Sequence, residues 1–227
     1  IARLDAEIAR HEAESQVWFT SGQAQLSEKL RGEQSIEMLA NNVTNHLCQY
    51  LGAQTGAFFL VSGARLKLTG RYAYTEYTGQ KDEFGFGENL VGEAARANRI
   101  ISVITIPADA PLVASALGDA KPNQLLIAPI GVDGQVFGVV ELATLNQFSA
   151  EHESFLRRSS ESIAIALRTA QTRDRIASLL ADSQRQTEEL QAQEEELRAA
   201  NEELQAQGES RAPNEVPANR RQSARPL

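Results

Sequence analysis

One acidic residue stands inside an otherwise apolar stretch of the chain. Glu141 lies in Val139-Val-Glu-Leu-Ala143, a pattern that predicts a strand with apolar residues on both faces. A carboxylate in such a strand must form hydrogen bonds or reach water, because burying it alone is costly. Two interpretations of Glu141 stay open: pairing with an arginine or a backbone N–H, or contact with a bound ligand.

A glycine-rich segment, Phe84-Gly-Phe-Gly-Glu-Asn-Leu-Val-Gly92, raises the question of phosphate binding. Its glycine spacing differs from the dinucleotide-binding fingerprint, and no Lys-Ser/Thr pair follows it. We interpret it as a tight turn that leads into a short helix. A backbone contact to a ligand is the alternative.

Aromatic residues supply further candidates for a binding pocket. They fall in predicted strands or in the glycine-rich segment, where an aromatic ring serves either in the plain core or in the wall of a pocket. The pocket candidates, together with Glu141, are Phe58, Tyr72, Tyr74, Phe84 and Phe86.

Nucleophilic and metal-ligating residues form no catalytic pattern. Cys48 is the only cysteine, so no internal disulfide and no catalytic cysteine pair can form, and a reducing compartment fits best. His11, His46 and His152 lie on three different predicted helices, and none has a second ligand at metal spacing. We therefore expect no catalytic site, no metal and no evident cofactor, although a small-molecule ligand stays an option.

The composition of the chain restricts the kinds of partner that it can bind. The net charge of −8 argues against nucleic acid, whose phosphates would be repelled. No apolar run approaches the roughly 20 residues that cross a bilayer, so we expect no direct membrane contact and a cytoplasmic location. The chain begins at Ile1 without Met, inside a helical pattern, and we expect it to be a segment of a longer protein.

The elements that must position these residues follow from hydrophobic periodicity. The fold class expected is α+β, with an antiparallel sheet of five to six strands flanked by helices. The pattern predicts, in order, helices over 1–30 and 33–51, strands over 57–61 and 65–68 (continued by Tyr72, Tyr74 and Tyr77), a loop over 78–88, a helix over 89–97, a strand over 100–106, an irregular stretch with one helical turn over 107–122, strands over 124–130 and 135–143, and a long helix that Ser149 caps.

The end of the long helix carries a heptad repeat. Leucines recur every seven residues, and the residues between them are almost only Glu, Gln, Ala and Arg, which is typical of a narrow seam buried by a second helix. Glu194 at a core position weakens the seam, and Asn201 at another favours a parallel dimer in one register. A helix that is merely solvated is the alternative. The residues expected in the dimer seam are Ile176, Leu180, Leu190, Leu197, Asn201 and Leu204.

Over about residues 18–170 the chain resembles a GAF domain of bacterial sensor proteins. The resemblance rests on Leu51-Gly-Ala-x-x-Gly-Ala-Phe-Phe-Leu60, Gly87-x-x-Leu-Val-Gly-Glu-Ala-Ala95, Leu126-x-Ala-Pro-Ile130 with Gly138-Val-Val-Glu-Leu142, and Phe148-Ser-x-Glu-x-x-x-Phe-Leu156. The stretch from Glu188 to Leu204 resembles the signalling helix that joins GAF domains to kinase cores in hybrid sensor histidine kinases. The resemblance implies a central antiparallel sheet, helices on one face, and a small-molecule pocket on the other.

The known ligand signatures of that family are mostly missing. Cyclic-nucleotide-binding members carry Asn-Lys and Asp-Glu pairs where this chain has Ala143-Thr144 and His152-Glu153. Bilin-binding members place a His beside the attachment Cys, whereas Leu47 and Gln49 flank Cys48. The resemblance therefore leaves the ligand unnamed.

The resemblance implies a regulatory sensor module of a two-component histidine kinase. We expect a linker helix over 1–30, a GAF domain over 31–170, a coiled-coil signalling helix over 171–207 and a disordered tail or linker over 208–227. The partners implied are a second copy of the chain and a kinase core of the same polypeptide, whose parent is either free or anchored in the inner membrane. The alternatives are a regulatory module of a cyclic-di-nucleotide enzyme and a ligand-free dimerisation scaffold.

Overall fold

The computed structural model describes residues 2–74, 81–106, 112–115 and 118–210. The chain forms two compact units, Ile1–Arg175 and Ile176–Leu227. The first unit holds the sheet and its helices, and the second unit is helical as far as residue 210. None of the described helices combines the length and the apolar character that a bilayer-spanning segment needs.

The helices follow the predicted periodicity closely. Ser35 starts the second helix by accepting a hydrogen bond from the Met38 backbone N–H at 3.2 Å, which is why this helix begins later than residue 33. Gly52, in the left-handed conformation at φ 68°, ends it. The four described helices are α1 (Ala2–Lys29), α2 (Ile36–Leu51), α3 (Asn89–Ala97) and α4 (Ala150–Ser210).

The central sheet is antiparallel and has six strands, which confirms the predicted α+β architecture. Its strand order is β3-β2-β1-β8-β7-β4, and a separate two-stranded sheet pairs β5 with β6. The strands are β1 (Thr55–Ser62), β2 (Arg65–Tyr72), β3 (Glu83–Gly85), β4 (Ile101–Val103), β5 (Val113–Ser115), β6 (Gly118–Ala120), β7 (Gln124–Val132) and β8 (Gln135–Thr144).

Four short strands depart from the sequence prediction. β3 lies in the segment predicted as a loop, and the described part of the stretch predicted as irregular holds the β5–β6 hairpin without a helical turn. β4 spans three residues because it pairs with β7 only from Ile101 to Val103. β2 ends at Tyr72, where Ala73 adopts a left-handed φ of 44°, so Tyr74 is outside the strand. Tyr77 lies outside the described residues.

The sheet is buried on both faces, and the two faces differ. On the helical face, Phe58 packs with residues of α1, α2 and α4, among them Leu26, Leu47 and Phe155. On the opposite face, which we call the α3 face, Phe59 packs with Val91 and other apolar residues. Because side chains alternate along a strand, neighbours such as Phe58 and Phe59 lie on different faces.

The described part of the second unit is a helix whose side chains are exposed from Ile176 to residue 206. Its seam leucines Leu190, Leu197 and Leu204 are 62%, 66% and 65% exposed in a single chain. Both predicted states, a strand of a coiled coil and a solvated helix, have this exposure in one copy. The helix continues through Ser210, beyond the predicted limit at residue 207, and residues 211–227 of the predicted tail lie outside the described residues.

Candidate functional site

A cavity of about 290 Å³ lies on the α3 face of the sheet. Strands β1, β7 and β8 supply one wall, and α3 with the chain around β3 and β5 supplies the other. Most of the wall is apolar, since the α3 face is built from small and branched apolar side chains. The described residues that line it are Thr55, Gly56, Ala57, Phe59, Ala73, Tyr74, Lys81, Phe84, Asn89, Leu90, Val91, Ile106, Leu112, Val113, Pro122, Leu125, Glu141 and Ala143.

Glu141 places a carboxyl group in this apolar wall. It lies in β8, opposite Ala57 of β1 and Ile127 of β7, and its side chain is partly accessible through the cavity. Within the described part of the chain its carboxyl group forms no hydrogen bond and no ion pair, so the predicted pairing with an arginine or a backbone N–H is wrong there. Loss of hydration raises the pKa of Glu141 to about 7.

The second charged residue of the wall is Lys81, and its charge is already neutralised. Its Nζ lies 3.1 Å from Oε1 of Glu88. The other oxygen of Glu88 accepts the Gly85 backbone N–H at 2.9 Å. That N–H bond, followed by Lys81, holds the pKa of Glu88 below its usual value. Glu88 therefore connects β3 and Lys81 to the start of α3.

The glycine-rich segment is a tight turn packed against α3. The Gly87 N–H donates to the Gly92 carbonyl at 2.8 Å, and Asn89 Oδ1 accepts the N–H groups of Val91 and Gly92 at 2.8 and 3.1 Å. A Cβ atom on Gly92 would collide with the Gly85 carbonyl oxygen and lie 3.0 Å from the Gly87 nitrogen. These N–H groups have protein acceptors already, which favours the turn over a phosphate-binding loop.

Three of the six predicted pocket residues line the cavity, namely Tyr74, Phe84 and Glu141. Phe58 and Tyr72 do not, because both lie on the helical face. Alternation places Phe58 there, whereas Tyr72 reaches that face through the register shift in the β1–β2 pairing, since Leu68 of the same strand lies on the α3 face. Phe86 does not either, and its side chain is 42% exposed. These three residues lie outside the described cavity lining, and sequence alternation alone does not say which face carries the cavity.

Sequence reasoning missed Thr55, Lys81 and Asn89 as polar residues of the cavity wall. Thr55 starts β1 and donates to the Tyr72 carbonyl at 3.1 Å. Asn89 has a left-handed φ of 56°. An Asn directly before an apolar helical pattern is a usable signal for such a residue, whereas nothing around Lys81 marks it.

Cys48 and the histidines lie away from the cavity lining. Burial raises the pKa of the Cys48 thiol to about 12, so a thiolate nucleophile is unfavourable there. Burial lowers the pKa of His46 and of His152, which both contact the aromatic cluster of α1, α2 and α4. No group of His, Cys, Asp or Glu within the described ranges is arranged to hold a metal ion.

Comparison with known protein families identifies the class of protein to which this fold and its cavity belong. A family model described as "GAF domain" matches residues 33–168. The chain belongs to the GAF domain family. No curated protein sequence matches it significantly.

Solved structures with the same fold are distant in sequence. The GAF domain of a phosphoenolpyruvate-protein phosphotransferase from Coxiella burnetii is 19% identical with a TM-score of 0.57, and the match covers 69% of this chain and 96% of that one. The corresponding domain from Acinetobacter is 16% identical with a TM-score of 0.56, covering 69% and 97%. A free methionine-R-sulfoxide reductase (fRMsr) of Staphylococcus aureus is 17% identical with a TM-score of 0.53, covering 66% and 94%. At these identities the likeness establishes the fold alone.

Proposed function

We propose that this chain is the regulatory sensor module of a two-component histidine kinase. A ligand or partner alters the GAF domain, and α4 relays the change through a parallel dimeric coiled coil to a kinase core of the same polypeptide. The observation that carries the proposal is a cavity-bearing GAF domain whose last helix, α4, continues into a segment with a leucine heptad. The chain itself acts without catalysis, in the cytoplasm.

The sheet provides a physical link between the cavity and α4. In β8, Glu141 lies at the cavity while its neighbours Val140 and Leu142 pack in the helical-face core with Phe155 of α4. A ligand that displaces β8 therefore acts on the packing of α4. Close-packed cores transmit such displacements because they compress little.

Hydrogen bonds connect α4 to the sheet and to α1. Ser160 of α4 accepts the Gly131 N–H at 2.9 Å and donates to the Pro129 carbonyl at 3.2 Å. Gln23 of α1 donates to Ser159 Oγ at 2.7 Å. A displacement of β7 or β8 is thus accompanied by a shift of both terminal helices of the domain.

The heptad supports a dimer of marginal stability. Leu190, Leu197 and Leu204 occupy d positions, where leucine favours two-stranded coiled coils. Glu194 at an a position would place two like charges together in the dimer. A weakly held seam permits two helix arrangements separated by a few kcal/mol, which a small input can bias.

A catalytic role like that of the methionine sulfoxide reductases finds no support in the thiol chemistry. Cys48 is the only cysteine of the chain, it is buried in the helical-face core, and burial raises its pKa to about 12. Thiol redox catalysis requires an accessible, ionisable cysteine. We therefore propose binding rather than turnover.

A kinase fusion tests the relay. The chain is joined after residue 206, in continuous heptad phase, to a histidine kinase core, and autophosphorylation is measured. Leu190→Asn with Leu197→Asn should lower autophosphorylation severalfold, because the two changes remove successive d-position contacts. Ala192→Asn with Ala199→Asn, at the outward f positions of the same heptads, is the matched control and should change little. Equal activity of both double variants would refute the relay.

A further inference from the structure

The two residues of charged type in the described cavity wall differ in whether the protein supplies a partner of opposite charge. Among the described lining residues two belong to the charged residue types, Lys81 and Glu141. Lys81 is neutralised by Glu88 at 3.1 Å, whereas Glu141 forms no bond with any residue of the described chain. The described lining therefore contains one acidic group without a partner in the described chain.

No described residue forms a hydrogen bond or an ion pair with Glu141 that would replace the hydration it loses. Phe59, Leu125 and Ala143 belong to the same wall, and each is apolar. An unpaired carboxylate in an apolar site is costly, and a cation placed against it removes that cost while gaining a charge-assisted hydrogen bond. The missing partner of Glu141 is thus a positively charged donor.

The dimensions restrict this donor to a small molecule. A cavity of about 290 Å³ accommodates a small organic molecule. Phe59 and Phe84, whose rings lie edge-to-face with centroids 5.6 Å apart, provide an apolar surface for the remainder of the molecule.

We propose that the cavity binds a small organic ammonium ion, with the ammonium group against the Glu141 carboxylate and an apolar body against Phe59 and Phe84. This inference rests on the proposed function, because it names the ligand class of the sensor cavity. The Glu141 carboxylate disfavours a ligand that places phosphates or other anionic groups against it.

Binding of an ammonium ion must be linked to pH. Burial raises the pKa of Glu141 to about 7, so the empty cavity holds a carboxyl group that is partly protonated near neutrality. The other titratable groups of the described wall are Lys81, paired with Glu88, and Tyr74. The strand partners of Glu141, Ala57 and Ile127, are not ionisable. An ammonium ligand requires the carboxylate, so its affinity should rise as pH increases through about 7 and then level off.

Methyl NMR titrations with three matched probes test the proposal. Phenethylamine, 2-phenylethanol and phenylacetate share a phenyl body and differ in head-group charge, and Val91 and Leu125 report from the cavity wall. At about pH 8, phenethylamine should bind at least about tenfold more tightly than 2-phenylethanol, and phenylacetate should bind most weakly. Glu141→Gln should abolish the preference for the amine and the dependence of its affinity on pH.

Glu33→Gln is the control, since Glu33 is exposed and outside the cavity. This variant should keep both the preference and the pH dependence of the native chain. Equal binding of the amine and the alcohol, tighter binding of phenylacetate, unchanged amine binding in Glu141→Gln, or the absence of any shift with phenethylamine would each overturn the inference. The kinase fusion needs no probe, so failure of the ligand class and failure of the relay are distinguishable.

Discussion

Glu141 acquires its properties from its two neighbouring strands and from the alternation of side chains along β8. Pairing of β8 with β1 and β7 fixes its backbone, and the alternation of β8 directs its side chain to the cavity while Val140 and Leu142 enter the opposite core. Its carboxyl group lacks a protein partner within the described chain, and its pKa is raised to about 7. Such a group costs stability when ionised, and that cost is the sign that it serves binding rather than folding.

At the residue scale, Glu141→Gln should stabilise the protein in a pH-dependent way. The pKa of Glu141 in the folded state lies above its unfolded value, so ionisation favours unfolding. The penalty is absent below about pH 4.5, grows between about pH 4.5 and 7, and is complete above that range. At about pH 8 the variant should gain about 3 kcal/mol in the free energy of unfolding, and near pH 4 it should gain nothing.

Urea unfolding of the variant and of the native chain at both pH values measures this gain. Glu33→Gln, an exposed change of the same kind, should stay within about 0.5 kcal/mol of the native protein at either pH. A Glu141→Gln variant that is no more stable than the native chain at the higher pH would show that Glu141 is adequately solvated or paired.

At the element scale, the packing of α1, α2 and α4 depends on a close approach at Gly22. Trp18 and Tyr50 stack with ring centroids 5.0 Å apart, and Phe155 lies 5.2 Å from Tyr50. The Tyr50 hydroxyl donates to the Trp18 carbonyl. These rings join the linker helix to both other helices of this face, so they lie on the proposed path from the sheet to α4.

Gly22→Ala should loosen this packing. The added Cβ would collide with the Tyr50 ring and lie 2.6 Å from Cε2 of Phe155. Overpacking of this kind costs about 1–3 kcal/mol, while the change from Gly to Ala within a helix returns about 1 kcal/mol. We expect a net loss of about 1 kcal/mol or more in the free energy of unfolding, measured by urea denaturation.

Ser27→Ala, on an exposed position of the same helix, is the control and should leave stability equal or slightly higher. A Gly22→Ala variant that matches this control would mean that α1 is not held against Tyr50 and Phe155.

The elements also explain which parts of the structure were predictable. Long apolar runs such as β7 and β8, and caps such as Ser149, carry local signals, so the helices and main strands follow from the sequence. β3 and β5 span only three residues each. They are stabilised by pairing with other strands, and the local sequence pattern contains no information about that pairing. The site was predictable as far as Glu141, because an acid in an apolar strand is locally conspicuous, whereas Lys81 becomes a wall residue only through the tertiary fold.

At the scale of the whole molecule, each unit has its own role in the proposed mechanism. The first unit, Ile1–Arg175, contains the cavity, both cores and the first part of α4. The second, as far as it is described, contains exposed leucines at heptad spacing and no core of its own. A helix of that composition gains stability chiefly from a second helix, so the proposed relay depends on a dimer.

Sedimentation equilibrium of the 227-residue chain over a wide concentration range tests this dimer most directly. The proposed relay predicts a reversible monomer–dimer equilibrium. Leu190→Asn with Leu197→Asn should shift it at least about tenfold toward monomer, and Ala192→Asn with Ala199→Asn should leave it unchanged. A strict monomer at every concentration, or a dimer that both double variants leave equally strong, would contradict the proposed relay through α4.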